Sequence, residues 1–164
     1  MLDRNILNEL KQWKSSNQRK PLILRGARQV GKTTVVEMLG QTYVQFISLN
    51  LELQEDAAPF KAFKNIRQLV EQLFFLRDQD ISKIGETLLF IDEIQEVPPA
   101  INILRYFHEQ VPELHVIAAG SLLEAALTGN VKIPVGRVEY KIVRPLSFDE
   151  FLQANADRAA LEQF

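Results

Sequence analysis

The residues with the clearest chemistry are Gly26-Ala27-Arg28-Gln29-Val30-Gly31-Lys32-Thr33, which fit G-x-x-x-x-G-K-[ST] at every defined position. Glycines let successive backbone N–H groups turn inward around a phosphate. The start of the following helix adds roughly half a positive charge from its dipole. Lys32 would reach β- and γ-phosphate oxygens, and the Thr33 hydroxyl would serve as a ligand for Mg²⁺. Gly26 through Thr34 are therefore the candidate nucleotide-binding residues. Read as structure alone, the stretch is a glycine-bearing turn with a surface lysine. The apolar run Leu22-Ile23-Leu24 before it and the helical pattern after it favour the phosphate reading.

A second group with usable chemistry closes Leu88-Leu89-Phe90-Ile91-Asp92-Glu93. Four apolar residues in a row indicate a strand buried on both faces, hence a parallel sheet covered by helices. In open α/β sheets, ligands bind at the carboxyl ends of such strands. Asp92 would hold Mg²⁺, largely through water, because a hard cation takes oxygen ligands and keeps part of its hydration shell. Glu93 would position or polarise the attacking water. The bland alternative for Glu93 is a solvated strand-end carboxylate, and Glu96 reads as a surface acid. Four apolar residues before an Asp are common by chance, so the acid pair gains weight only beside the loop.

These groups need a sheet to hold them, and the chain supplies one. Leu2 to Lys14 reads as an amphipathic helix with Leu2, Ile6, Leu10 and Trp13 on one face, Trp13 being core packing rather than a ligand platform. A polar loop ending at Pro21 feeds the first strand. After the phosphate loop, Thr34 to Leu39 continues as helix, with Val35, Val36 and Leu39 toward the sheet, and Val44 to Leu51 reads as a second strand. From Gln54 to Asp80 the pattern is mostly helical, interrupted early by Pro59, with Phe74 and Phe75 as core candidates. Pro98 and Pro99 precede a helix over 100–110, and Leu114 to Ala119 makes another buried strand ending at Gly120-Ser121. His108 and His115 have no partners at metal-ligand spacing and read as packing or surface residues. A helix over 122–127, a strand over 138–143 and a capping box at Ser147-Phe148-Asp149-Glu150 complete the α/β pattern.

Composition narrows the class. At 164 residues the chain suits one domain that buries roughly 70% of its unfolded surface. Nineteen Lys+Arg against 21 Asp+Glu give a net charge of −2, with no global basic field for nucleic acid. There is no cysteine, which removes disulfides, thiolate metal sites and cysteine nucleophiles. No apolar run approaches the ~20 residues that span a bilayer, so the expectation is a cytoplasmic protein without a membrane partner.

Taken together, GARQVGKTT, LLFIDEIQ, VIAAGS, PVGRVEY and RPLSFDEFL resemble a specific family, the prokaryotic AAA-type P-loop ATPases with a poorly characterised carboxyl-terminal domain. The resemblance covers roughly 1–152 as the ATPase domain with its amino-terminal helix; residues 153–164 read as the start of a truncated or missing carboxyl-terminal region. It implies a three-layer α/β fold, a parallel five-stranded sheet in the order 5-1-4-3-2 with the strand over 114–119 inserted between the loop strand and the acidic strand. It further implies ATP as nucleotide with Mg²⁺, Ser121 as polar sensor of the γ-phosphate, and Arg137 as an arginine that neutralises transition-state charge. Where many relatives have Thr-Gly-Ser, this chain has Ala119-Gly120-Ser121, which leaves Ser121 as the sensor candidate. Arg137 has structural alternatives, a helix–sheet salt bridge or a structural contact under the loop.

The leading functional reading is a Mg²⁺-dependent ATP-hydrolysing switch or motor core, with Lys32, Glu93, Ser121 and Arg137 as catalytic candidates and Thr33 and Asp92 at the metal. One alternative is a nucleotide-gated module acting on DNA or a protein partner with little intrinsic hydrolysis. The other is a small-molecule kinase, against which stand the absence of an Arg-rich lid and an acid pair suited to water. No Asn-Lys-x-Asp guanine-reading element is present.

Overall fold

The computed structural model describes residues 5–26, 31–120 and 136–144, together with 152 and 156. The helix over 122–127, the capping box at Ser147 and the region from residue 153 on lie outside that set, 156 excepted.

Helix α1 (Asn5–Ser15) buries Leu7, Leu10 and Trp13. Ile6, expected on that stripe, is only partly buried. Strand β1 (Leu22–Arg25) leads to the loop, helix α2 (Lys32–Gly40) follows it, and β2 (Gln45–Asn50) comes next. Gly40 is required by proximity, since a Cβ there would sit 2.8 Å from the Phe46 ring.

The stretch expected to be one interrupted helix is two. Helix α3 (Gln54–Lys61) runs through buried Pro59, which costs one late hydrogen bond without ending the helix. The break falls at 62–65 instead, where the Asn65 side chain accepts from the Gln68 N–H and starts α4 (Ile66–Leu76). Phe74 is buried as expected, but Phe75 is 83% exposed. Neighbours on a helix point about 100° apart, so only one of them can face the sheet.

Strand β3 (Thr87–Asp92), helix α5 (Pro98–Gln110), β4 (His115–Gly120) and β5 (Glu139–Ile142) complete the described elements. The sheet is parallel, in the order β2-β3-β4-β1-β5, which is 5-1-4-3-2 read from the other edge. Alternate side chains of each strand enter different layers. Leu88, Phe90, Ile117, Leu22 and Leu24 pack with α1 and α2, whereas Leu89, Ile91, Val116 and Ile23 pack with α3, α4 and α5. β3 and β4 are almost wholly buried, as continuous apolar runs require.

Candidate active site

Because β1, β4 and β3 are adjacent and parallel, the loop after Arg25 and the acids after Ile91 open at the same edge of the sheet. The α2 N-terminus is prepared by Gly31, whose φ of 88° lies in the left-handed region that glycine adopts without steric cost. Lys32 follows, 7% exposed, and its Nζ donates to the Gly26 carbonyl oxygen at 2.8 Å, bridging the two flanks of the loop. Burial lowers its pKa below the usual lysine range, and the nearby Glu93 and Asp92 carboxylates act in the opposite sense.

Thr33 Oγ1 donates to Asp92 Oδ2 at 2.7 Å. The other Asp92 oxygen accepts from the Glu93 N–H at 2.9 Å, so the carboxylate is held from both sides. A hydroxyl and a carboxylate at this distance are hard oxygen donors that suit Mg²⁺. Among the described residues no cluster of three or more His, Asp or Glu side chains could hold a metal by itself.

Glu93 has φ 52° and ψ 45°, left-handed backbone that a non-glycine residue rarely takes. It caps a short 3₁₀ turn, Ile94–Glu96, which is anchored by fully buried Ile94. The Gln95 Nε2 donates to Glu93 Oε2. Gln95 had no role of its own in the sequence pattern, although the stretch LLFIDEIQ ends on it, since a lone polar residue after an isoleucine carries no spacing signal.

A further relay lies behind β3. Asn50 pairs with Asp92 in the β2–β3 register, and its N–H donates to Asp56 Oδ2 at 2.9 Å. Asp56, 8% exposed, also takes a charge-assisted bond from Arg77. A cavity of about 270 Å³ opens beside this pair, lined by Leu49, Pro59, Leu73 and Leu76. It lies on the α3–α4 side, away from the phosphate loop.

The expected site residues are only partly brought together. Lys32, Thr33, Asp92 and Glu93 converge; Thr34 is exposed in the first turn of α2, and Gly26 closes β1. Ala27, Arg28, Gln29, Val30 and Ser121 lie outside the described residues. Arg137 is not gathered in. It precedes β5, which starts opposite Leu22, so it stands at the amino end of the sheet, a strand's length from the loop. There it meets Glu109 of α5 at 3.6 Å, the ion-pair alternative. His115 is packing, buried edge-on to Trp13 and Tyr43.

A family model described as "AAA domain" matches residues 18–152. No curated protein matches. Among solved structures, the Aeropyrum pernix Orc1 protein in complex with DNA superposes with a TM-score of 0.58 at 14% identity, over 96% of this chain and 48% of that one. The chain thus spans about half the length of that neighbour, and the likeness at this identity is one of fold. With the family model covering residues 18–152 of the 164, the chain belongs to the AAA domain family.

Proposed function

We propose that this domain binds ATP with Mg²⁺ and hydrolyses it to ADP and phosphate. The observation that carries this reading is the meeting of Lys32, Thr33, Asp92 and Glu93 at one edge of the sheet. Lys32 would exchange its bond to the Gly26 carbonyl for phosphate oxygens. Thr33 and Asp92 would hold Mg²⁺, which supplies charge neutralisation on the phosphates when bound. Glu93 would orient water for in-line attack on the γ-phosphorus, so most of the lowering of the barrier comes from positioning and electrostatics. Adenine preference rests on the family resemblance. In relatives with this sheet order the residue after β4 senses the γ-phosphate, and Ser121 holds that position in sequence.

The test is phosphate release from ATP and GTP by the wild type, Lys32→Ala and Glu93→Gln, with nucleotide affinity measured alongside. Loss of binding in the first variant and retained binding without turnover in the second support the reading; turnover unaffected by Glu93→Gln overturns the role of Glu93. Duplex DNA belongs in the same assay because the Aeropyrum neighbour is a DNA complex. The net charge of −2 predicts weak nonspecific DNA binding.

A further inference from the structure

The turn after β3 is held at every point except one. Glu93 donates to Asp92, Glu96 N–H donates to the Glu93 carbonyl at 3.0 Å, Val97 N–H donates to the Ile94 carbonyl at 3.2 Å, and Ile94 is sunk in the core. The turn also packs against β4. In this fixed setting the Gln95 amide gives its N–H to the Glu93 carboxylate and leaves its own Oε1 buried without a hydrogen-bond partner. Only the NH₂ end can donate to a carboxylate, so the bond itself sets the amide's orientation. An orphaned buried acceptor is unfavourable, and a native structure that keeps one generally has a use for the group that created it.

We propose that Gln95 is the positioning residue for Glu93: its amide fixes the carboxylate's rotamer so that the second carboxylate oxygen is presented to the attacking water. This rests on the reading of Glu93 given above. Gln95 touches neither nucleotide nor water in this account and acts only through Glu93. The missing acceptor bond makes the contact easy to release, because nothing among the described residues holds the other end of the amide.

The test uses Gln95→Met, which keeps length and shape while removing both the donor and the orphaned oxygen, and Gln95→Glu, which sets a like charge against Glu93. For Gln95→Met the expected result is a kcat at least tenfold lower, KM for ATP within twofold, and a melting temperature no lower than wild type. Gln95→Glu is expected to lose more. In a Glu93→Ala background, adding Gln95→Met changes kcat by less than twofold, because the residue through which Gln95 acts is gone. A structural role predicts the opposite, a lowered melting temperature and additive losses, and either result overturns the proposal. Full turnover in Glu93→Ala would instead remove the reading of Glu93 itself. Amide NMR reads the contact without turnover: the Gln95 side-chain NH₂ signal is expected to move in Glu93→Ala, and an unmoved signal overturns the proposal.

Discussion

Thr33 Oγ1 sits 2.7 Å from Asp92 Oδ2 although 59 residues separate them, and this bond joins the first turn of α2 to the end of β3. Loop and strand open at one edge because β1, β4 and β3 run parallel side by side, so the contact is a product of topology rather than of sequence proximity.

The pair should be felt mainly through the metal. With Thr33→Val, which keeps the branched shape and deletes the hydroxyl, the gain in ATP affinity on adding Mg²⁺ should shrink at least tenfold, while affinity in EDTA stays within about twofold. Titration calorimetry with and without EDTA measures both; an unchanged Mg²⁺ gain would take Thr33 out of the metal site.

Glu93 allows a separation of stability from turnover. Its left-handed backbone costs a non-glycine residue about 1–2 kcal/mol. Glu93→Gly should therefore be about 1 kcal/mol more stable than Glu93→Ala in urea unfolding, the reverse of the order in a helix or strand, while both keep only residual turnover. If alanine is the more stable of the two, the backbone at 93 is not strained in solution.

The sheet was legible because its strands announce themselves twice. Leu88 to Ile91 and Val116 to Ala119 are apolar without alternation, as strands covered on both faces are, and the loop pattern fixes which strand precedes α2. Lys32 and Thr33 stood out through the loop pattern, and Asp92 and Glu93 through closing such a run beside it. The rest depended on geometry that letters do not carry. Phe75 has the same composition signal as Phe74 and differs only by a helical step of about 100°. Gln95 and Asp56 are tied by side-chain bonds across a turn and between elements, which leave no periodicity in the sequence. Arg137 had a motif behind it, yet a parallel β5 starts at the end of the sheet away from the loop and carries its flanking residue there.

His115 gives a pH dependence with a definite sign. Burial, with Arg19 and Lys14 adding to it, lowers its pKa from 6.5 to about 4 in the folded chain, where Tyr43 is its hydrogen-bond partner. The unfolded ring binds its proton first on acidification, so the stability gained by keeping the ring neutral is fully present above pH 6.5 and is lost as pH falls toward 4. Urea unfolding from pH 7 to 4 should show His115→Gln with a flatter profile than wild type, since the carboxylates common to both cancel. Parallel profiles would mean that the ring is protonated in the folded state.

Asp56 poses a question of what a buried charge does when its partner leaves. With Arg77→Met the carboxylate keeps, among the described residues, the Asn50 N–H, in a site 8% exposed and walled by Leu49, Pro59 and Leu73. An uncompensated buried carboxylate is costly, but Arg77 is itself 39% exposed and solvent can enter beside it, so the loss should be about 1–3 kcal/mol rather than the larger figure for a sealed pair. Adding Asp56→Asn should recover part of that loss, because the amide oxygen still accepts from Asn50 without carrying charge. Because Asn50 pairs with Asp92, Arg77→Met should also weaken Mg²⁺-dependent ATP affinity by a few-fold, and the double variant should restore it. Denaturation and calorimetry on the same three proteins separate the effects. A stability loss with unchanged nucleotide affinity would confine the pair to holding α3 against α4, with no reach into the site.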